Sequence, residues 1–252
     1  MDDTAWIARL APAPNATARL VCFPHAGGAA SYFHPLSAEL APEYEALTVQ
    51  YPGRQERYTE EPIDDIEKLA DEITPHVRRT AADLPFAFFG HSMGATVAFE
   101  VACRLEADGG PAPVSLFLSG RLAPSRHRPR PPHKWTDRLL LAEVGRLNGV
   151  RYQQSLLRDP GLRALILPAL RADYNALETY VPDPGARVRA PITAMVGERD
   201  PLVSVRDIEA WRTHTESAFA FQMFSGGHFY LGDHMADIAS MAQKELGRIA
   251  QR

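Results

Sequence analysis

The sequence predicts an α/β fold, a mostly parallel sheet flanked by helices. Three observations carry this. Short apolar runs of strand length alternate with longer helical patterns. The runs are apolar on both faces, as strands covered from both sides are. A chain of 252 residues, 45% hydrophobic, suits one unit of this class, so a single domain spanning 1–252 is expected.

In chain order, the expected strands are residues 19–23 (RLVCF), 46–51 (ALTVQY), 86–89 (FAFF), 114–119 (VSLFLS), 192–196 (ITAMV) and 219–224 (FAFQMF). Helical patterns fall at 63–79, 93–105, 205–213 and 235–249, with Pro75 expected to kink or end the first. The rhythm breaks at residues 124–184, which separate two strands that would otherwise be joined by a short connection. This stretch begins Pro- and Arg-rich (PSRHRPRPPH) and continues with helical patterns at 137–147 and 159–180. Leu140, Val144 and Leu147 recur at i, i+4 and i+7, with Thr136 or Asp137 as N-cap. A helical lid insertion is expected there, the plainer alternative being a helical subdomain that only covers core surface.

Composition excludes several classes. Seventeen glycines and 21 prolines are too few for a low-complexity chain. Lys and Arg number 27 against 31 Asp and Glu, so no global basic field exists and nucleic acid is not an expected partner. No apolar run approaches the roughly 18 residues that cross a bilayer. The chain opens on Asp2 and Asp3 instead of a basic n-region. No membrane association is expected, and the location is expected to be cytoplasmic. Cys22 and Cys103 lie in apolar segments and read as free thiols, which suits a reducing compartment. CxxC, HExxH, P-loop and GxGxxG patterns are absent, so neither metal nor cofactor is expected.

The strongest chemical signal is Gly90-His91-Ser92-Met93-Gly94, directly after an apolar strand and directly before a helix rich in small residues. That is the context of a nucleophile elbow, with Ser92 on a tight strand-to-helix turn and small neighbours that let strand and helix approach. Serine is a weak nucleophile and needs a base, which in turn needs an orienting acid. His228, in the loop after the last strand, is the expected base. His25 and His91 lie too near the nucleophile in sequence, His127 and His133 lie in the insertion, and His214 and His234 read as exposed helical positions. No carboxylate follows strand 114–119 before Asp137, whereas Glu198 and Asp200 follow strand 192–196. Asp200 is the expected acid, because Glu198 is close enough to the strand to pair with a basic neighbour. The expected oxyanion donors are the backbone N–H groups of Met93 and of Ala26, in the Gly-containing loop 23–28. His25, in that loop, is expected to pack or hydrogen-bond.

Together FPHAGG (23–28), VQYPGR (49–54), GHSMG (90–94), LRADY (170–174), VGERD (196–200) and GGHFYL (226–231) resemble the type II thioesterases. These are stand-alone editing hydrolases of modular polyketide synthases and nonribosomal peptide synthetases, with the α/β-hydrolase fold. The resemblance spans residues 19–246. It implies a triad of Ser92, Asp200 and His228, and removal of aberrant or stalled acyl groups from the phosphopantetheine arm of an acyl or peptidyl carrier protein, in polyketide, nonribosomal peptide and antibiotic biosynthesis. It also implies a mobile helical lid.

Residues 121–138 hold six basic side chains against one acid. Arg126, Arg128 and Arg130 are therefore expected to dock an acidic carrier or its phosphate, with a solvated loop as the alternative. A small-molecule carboxylesterase and a catalytically silent acyl-carrier-binding scaffold remain alternative functions. The early loop disfavours the first, since FPHAGG is not an HGGG type. The presence of all three triad candidates in hydrolase order disfavours the second. A cyclising terminal domain is not expected, since the chain begins with Met1 and its acid follows the later strand.

Overall fold

The computed structural model describes residues 3–81, 83–130, 135–148, 154 and 157–250. After a short helix, α1 (Asp3–Trp6), seven strands form one sheet: β1 (Ile7–Arg9), β2 (Arg19–Phe23), β3 (Glu45–Val49), β4 (Phe86–His91), β5 (Leu116–Ser119), β6 (Ile192–Gly197) and β7 (Phe219–Phe224). Their order is β1-β3-β2-β4-β5-β6-β7, with β1 antiparallel to β3 and every other pair parallel. The helices are α2 (His34–Leu40), α3 (Ile66–Ala81), α4 (Met93–Ala107), α5 (Asp137–Asn148), α6 (Pro160–Thr179), α7 (Val205–Glu209) and α8 (Met235–Ala250).

Alternate side chains of each central strand enter opposite cores, as the two-residue period requires. Val21, Phe23 and Phe88 pack with α3 and α4 on one face. Leu20, Cys22 and Phe89 pack with α2 and α8 on the other. This double covering makes the inner strands apolar throughout, and all six predicted strands are present. Cys22 and Cys103 are free thiols.

Several details differ from expectation. Strand β1 has three residues of which only Ile7 is buried, and α2 has seven, so neither offers enough period to read. Strand β7 lies at the sheet edge and is largely exposed, not covered on both faces. Helix α3 runs through Pro75 to Ala81, because Leu69, Ile73 and Val77 anchor both sides of the proline in the core. The 205–213 pattern divides into α7, opened by a Ser204–Asp207 capping box, and a 3₁₀ turn Ala210–His214. On that turn His214 is buried, not exposed. Its Nδ1 lies 2.8 Å from Ala186 O and its Nε2 2.9 Å from Ser125 Oγ.

Within 124–184, α5 and α6 share a small apolar cluster built on Leu140, Val144, Leu167 and Leu170. Thr136 Oγ1 accepts from Leu139 N–H at 3.4 Å and caps α5, while Asp159 accepts from Leu162 N–H at 3.0 Å and caps α6. His133 and Lys134, part of the basic stretch, lie outside the described residues.

Candidate active site

The parallel strands deliver their C-terminal ends to one edge of the sheet, and Ser92 stands there between β4 and α4. Its backbone is held at φ 55°, ψ −119°, a region costing a non-glycine residue about 1–3 kcal/mol unless its surroundings enforce it. They do. Ser92 N–H donates to Ser119 O at 2.8 Å, tying the turn to the end of β5. A Cβ on Gly94 would lie 1.9 Å from Phe23 O, and one on Gly90 would lie 2.4 Å from Gly94 O. Only glycine at both positions lets the turn close this tightly.

His228 arrives on the loop after β7. That loop crosses the end of β6 so closely that a Cβ on Gly197 would meet Gly227 O at 2.2 Å. Its Nε2 lies 3.0 Å from Ser92 Oγ, and its Nδ1 lies 2.7 Å from Asp200 Oδ2. The carboxylate on Nδ1 fixes the tautomer: Nδ1–H donates to Asp200, leaving Nε2 free to accept from the Ser92 hydroxyl. The side chains of His228 and Asp200 are 1% and 0% exposed, so this chain is shielded from water except at its serine end. Asp200 does not cap α7, since Ser204 does; its Oδ1 accepts from Leu202 N–H at 2.8 Å. Glu198 turns outward beside Arg199, 3.1 Å away.

Ala26 borders the same cavity as Ser92. Neither its N–H nor that of Met93 has a backbone acceptor among the described residues. His25 packs edge-on against Tyr32 and Phe229, ring centroids 4.5 and 4.8 Å away, and burial lowers its pKa to about 3. It is a neutral packing residue. His91 is also held well below the ordinary histidine range, chiefly by burial and then by the neighbouring His228 and His25. Its Nδ1 is hydrogen-bonded to Ser119 Oγ at 2.9 Å, and Ser119 Oγ to Tyr230 OH at 2.7 Å.

One arrangement was not anticipated from sequence. Asp173, on α6, is 1% exposed and accepts from Gly27 N–H at 2.6 Å while pairing with Arg54. Leu170, one turn earlier on α6, sits where a Cβ on Gly27 would be 2.7 Å from its Cδ1. Helix α6 thus grips the loop that carries Ala26 at two points. LRADY and YPGR contain both partners, but neither motif alone shows that they meet.

A cleft of about 890 Å³ opens from Ser92. Arg126, Arg128 and Arg130 line it and are exposed, with Arg128 Nη1 donating to Ser125 O and His127 O. A smaller cavity of about 40 Å³ lies between Ser92, His228 and the inner faces of α5 and α6.

A mostly parallel sheet with a serine on a strained strand-to-helix turn, linked through histidine to aspartate, defines an α/β-hydrolase. The family model described as Thioesterase domain matches residues 18–246, and the chain belongs to that family, hydrolases acting on thioester bonds. Thioesterase PikA5 of Streptomyces venezuelae is 46% identical over 240 residues, covering 95% of this chain and 85% of that protein. A probable cadicidin biosynthesis thioesterase of Streptomyces griseus is also 46% identical, over 93% of this chain; the chain spans only 64% of that relative's length. The solved structure of the type II thioesterase BorB, from the borrelidin biosynthetic cluster, superposes with a TM-score of 0.84 at 42% identity, covering 98% of this chain and 97% of that one. Among the described residues, no helix is long and apolar enough to cross a membrane.

Proposed function

We propose that this chain removes acyl groups from the phosphopantetheine arm of polyketide or nonribosomal peptide carrier proteins, through an acyl-Ser92 intermediate. The observation that carries the reading is the continuous hydrogen-bonded chain Ser92–His228–Asp200 at the floor of an arginine-rimmed cleft. His228 Nε2 takes the Ser92 proton as Oγ attacks the thioester carbonyl. Asp200 stabilises the imidazolium that forms. The tetrahedral oxyanion is received by the N–H groups of Ala26 and Met93, each worth about 10² to 10³ in rate. Collapse breaks the C–S bond, and the leaving thiolate takes the proton from His228. Water then attacks the acyl-serine, giving its proton to His228, and Ser92 leaves with that proton as the acid product departs.

Helices α5 and α6 form a lid over the acyl group, and Arg126, Arg128 and Arg130 meet the acidic carrier or the phosphate of its arm. The test compares one acyl group on a carrier protein, on coenzyme A and as an oxygen ester. The expected result is fastest turnover from the carrier. Turnover of the oxygen ester alone would make the protein a carboxylesterase, and no turnover at all would leave the scaffold reading.

A further inference from the structure

Ala26, Ser92, Leu147 and Tyr174 border both the small cavity shared by Ser92 and His228 and the wide cleft that opens from it. The first two supply an oxyanion donor and the nucleophile, and Leu147 is apolar. Tyr174, on α6 directly after Asp173, brings to this junction a hydroxyl that no step of the hydrolysis uses. Its ring lies edge-on against Trp135, centroids 4.8 Å apart, a contact that phenylalanine would make equally well. The hydroxyl itself makes no hydrogen bond among the described residues.

Its charged neighbours show which way the phenol oxygen faces. Glu143 and Arg146, on α5, both act on it, and both line the wide cleft and not the small cavity. The hydroxyl therefore stands on the cleft side of the junction, next to Ser92 but outside the acyl cavity. Glu143 is engaged by Arg146, whose Nη2 lies 2.5 Å away. Burial, and then the charge of Glu143, push the phenol above its ordinary range, so it stays protonated and can donate at neutral pH. A partly buried hydroxyl with no partner in its own fold forgoes a bond that water would give it. A ligand group that accepts from it restores that bond.

We propose that Tyr174 binds the first amide of the phosphopantetheine arm, its hydroxyl donating to the amide carbonyl. The chemistry of the arm selects this group. Two methylenes follow the thioester sulfur and offer nothing to a hydroxyl, and the amide comes next, with a carbonyl oxygen that accepts. With the thioester carbon at Ser92 Oγ, that amide enters the wide cleft at the junction Tyr174 borders, while the phosphate at the far end of the arm lies toward Arg126, Arg128 and Arg130. The contact sets how far the arm inserts, whichever acyl group it carries. The proposal rests on the reading that Ser92 attacks a thioester of this arm.

The test uses the propionyl thioesters of N-acetylcysteamine and of pentanethiol, which carry one acyl group on leaving groups of similar length, with and without the amide. Tyr174→Phe keeps the ring against Trp135. It is expected to lower kcat/KM for the N-acetylcysteamine thioester by about three- to tenfold, as loss of one neutral hydrogen bond does, and to leave the pentyl value within about twofold. The fall should lie in KM with kcat nearly unchanged, because the amide is held alike before and during the reaction. An equal fall with both thioesters would overturn the proposal and make Tyr174 a wall of the cavity, and no fall with either would overturn it too. Titrations of both ligands followed by NMR, in Ser92→Ala and in Ser92→Ala with Tyr174→Phe, separate this proposal from the thioesterase reading, which turnover alone decides. Weaker binding of only the amide-bearing ligand is expected in the double variant. A matched change for both ligands, or no change, would overturn the proposal.

Discussion

Asp173→Asn changes almost no volume and keeps an acceptor for Gly27 N–H, yet removes the counter-charge of a guanidinium whose side chain is 5% exposed. Arg54 keeps a neutral amide oxygen in place of Oδ2, Pro52 O at 2.8 Å and the Tyr51 ring 5.0 Å away, but no counter-charge. Breaking a buried pair by neutralising one partner costs about 3–5 kcal/mol. At about 2–4 °C per kcal/mol for a chain of this size, Tm should fall by roughly 6–20 °C. Among the described residues, Asp173 Oδ1 and Arg54 Nε have no hydrogen-bond partners, so the pair is incompletely satisfied there. Replacing both partners, as Arg54→Met with Asp173→Leu, should therefore recover all but about 1–3 kcal/mol, the cost of leaving Gly27 N–H without its acceptor. Thermal melts and urea titrations of the two singles and the double measure this. A fall of under about 3 °C for Asp173→Asn would refute the argument that an uncompensated buried charge governs this contact.

Gly94→Ala places a methyl 1.9 Å from Phe23 O, so it should cost at least about 3 kcal/mol or abolish soluble expression, read by expression yield and urea titration. Because His91 is buried and held neutral in the native state, its unfolded form binds a proton that the native form does not. Stability should fall as pH drops below about 6.5, by up to about 1.4 kcal/mol per pH unit from this residue, and a His91→Gln melt series should show a correspondingly shallower acid limb. Arg126→Glu with Arg128→Glu should raise KM for a carrier-bound substrate by about tenfold at low salt and weaken the rise of KM with added salt. Steady-state kinetics should show KM for a small thioester unchanged, and equal effects on both substrates would remove the docking role.

The inner strands were legible because burial on both faces writes itself into every position of runs such as FAFF and VSLFLS. Ser92, His228 and Asp200 were legible because each follows a strand that ends at the same sheet edge, and they meet in one hydrogen-bonded chain. Two aspects of the site carry no comparable local signature. Asp173 sits in a helix whose polar residues look like a solvated face, and its partner Arg54 is 119 positions away. Arg121 reads as one more cation in a basic stretch, and only the fold separates it from Arg126, Arg128 and Arg130, by tying its Nε to Thr96 Oγ1 and its Nη2 to His127 Nδ1. His214 reads as exposed for the same reason, since its partners Ser125 and Ala186 come from distant segments.

The most direct test of the central claim is the turnover of an acyl-carrier thioester by Ser92→Ala, with the variant's melting curve recorded beside it. A folded variant slower by roughly 10⁴-fold or more is predicted, its residual rate coming from the oxyanion donors and binding alone. Activity within about tenfold of the unsubstituted protein would contradict the assignment of Ser92 as nucleophile.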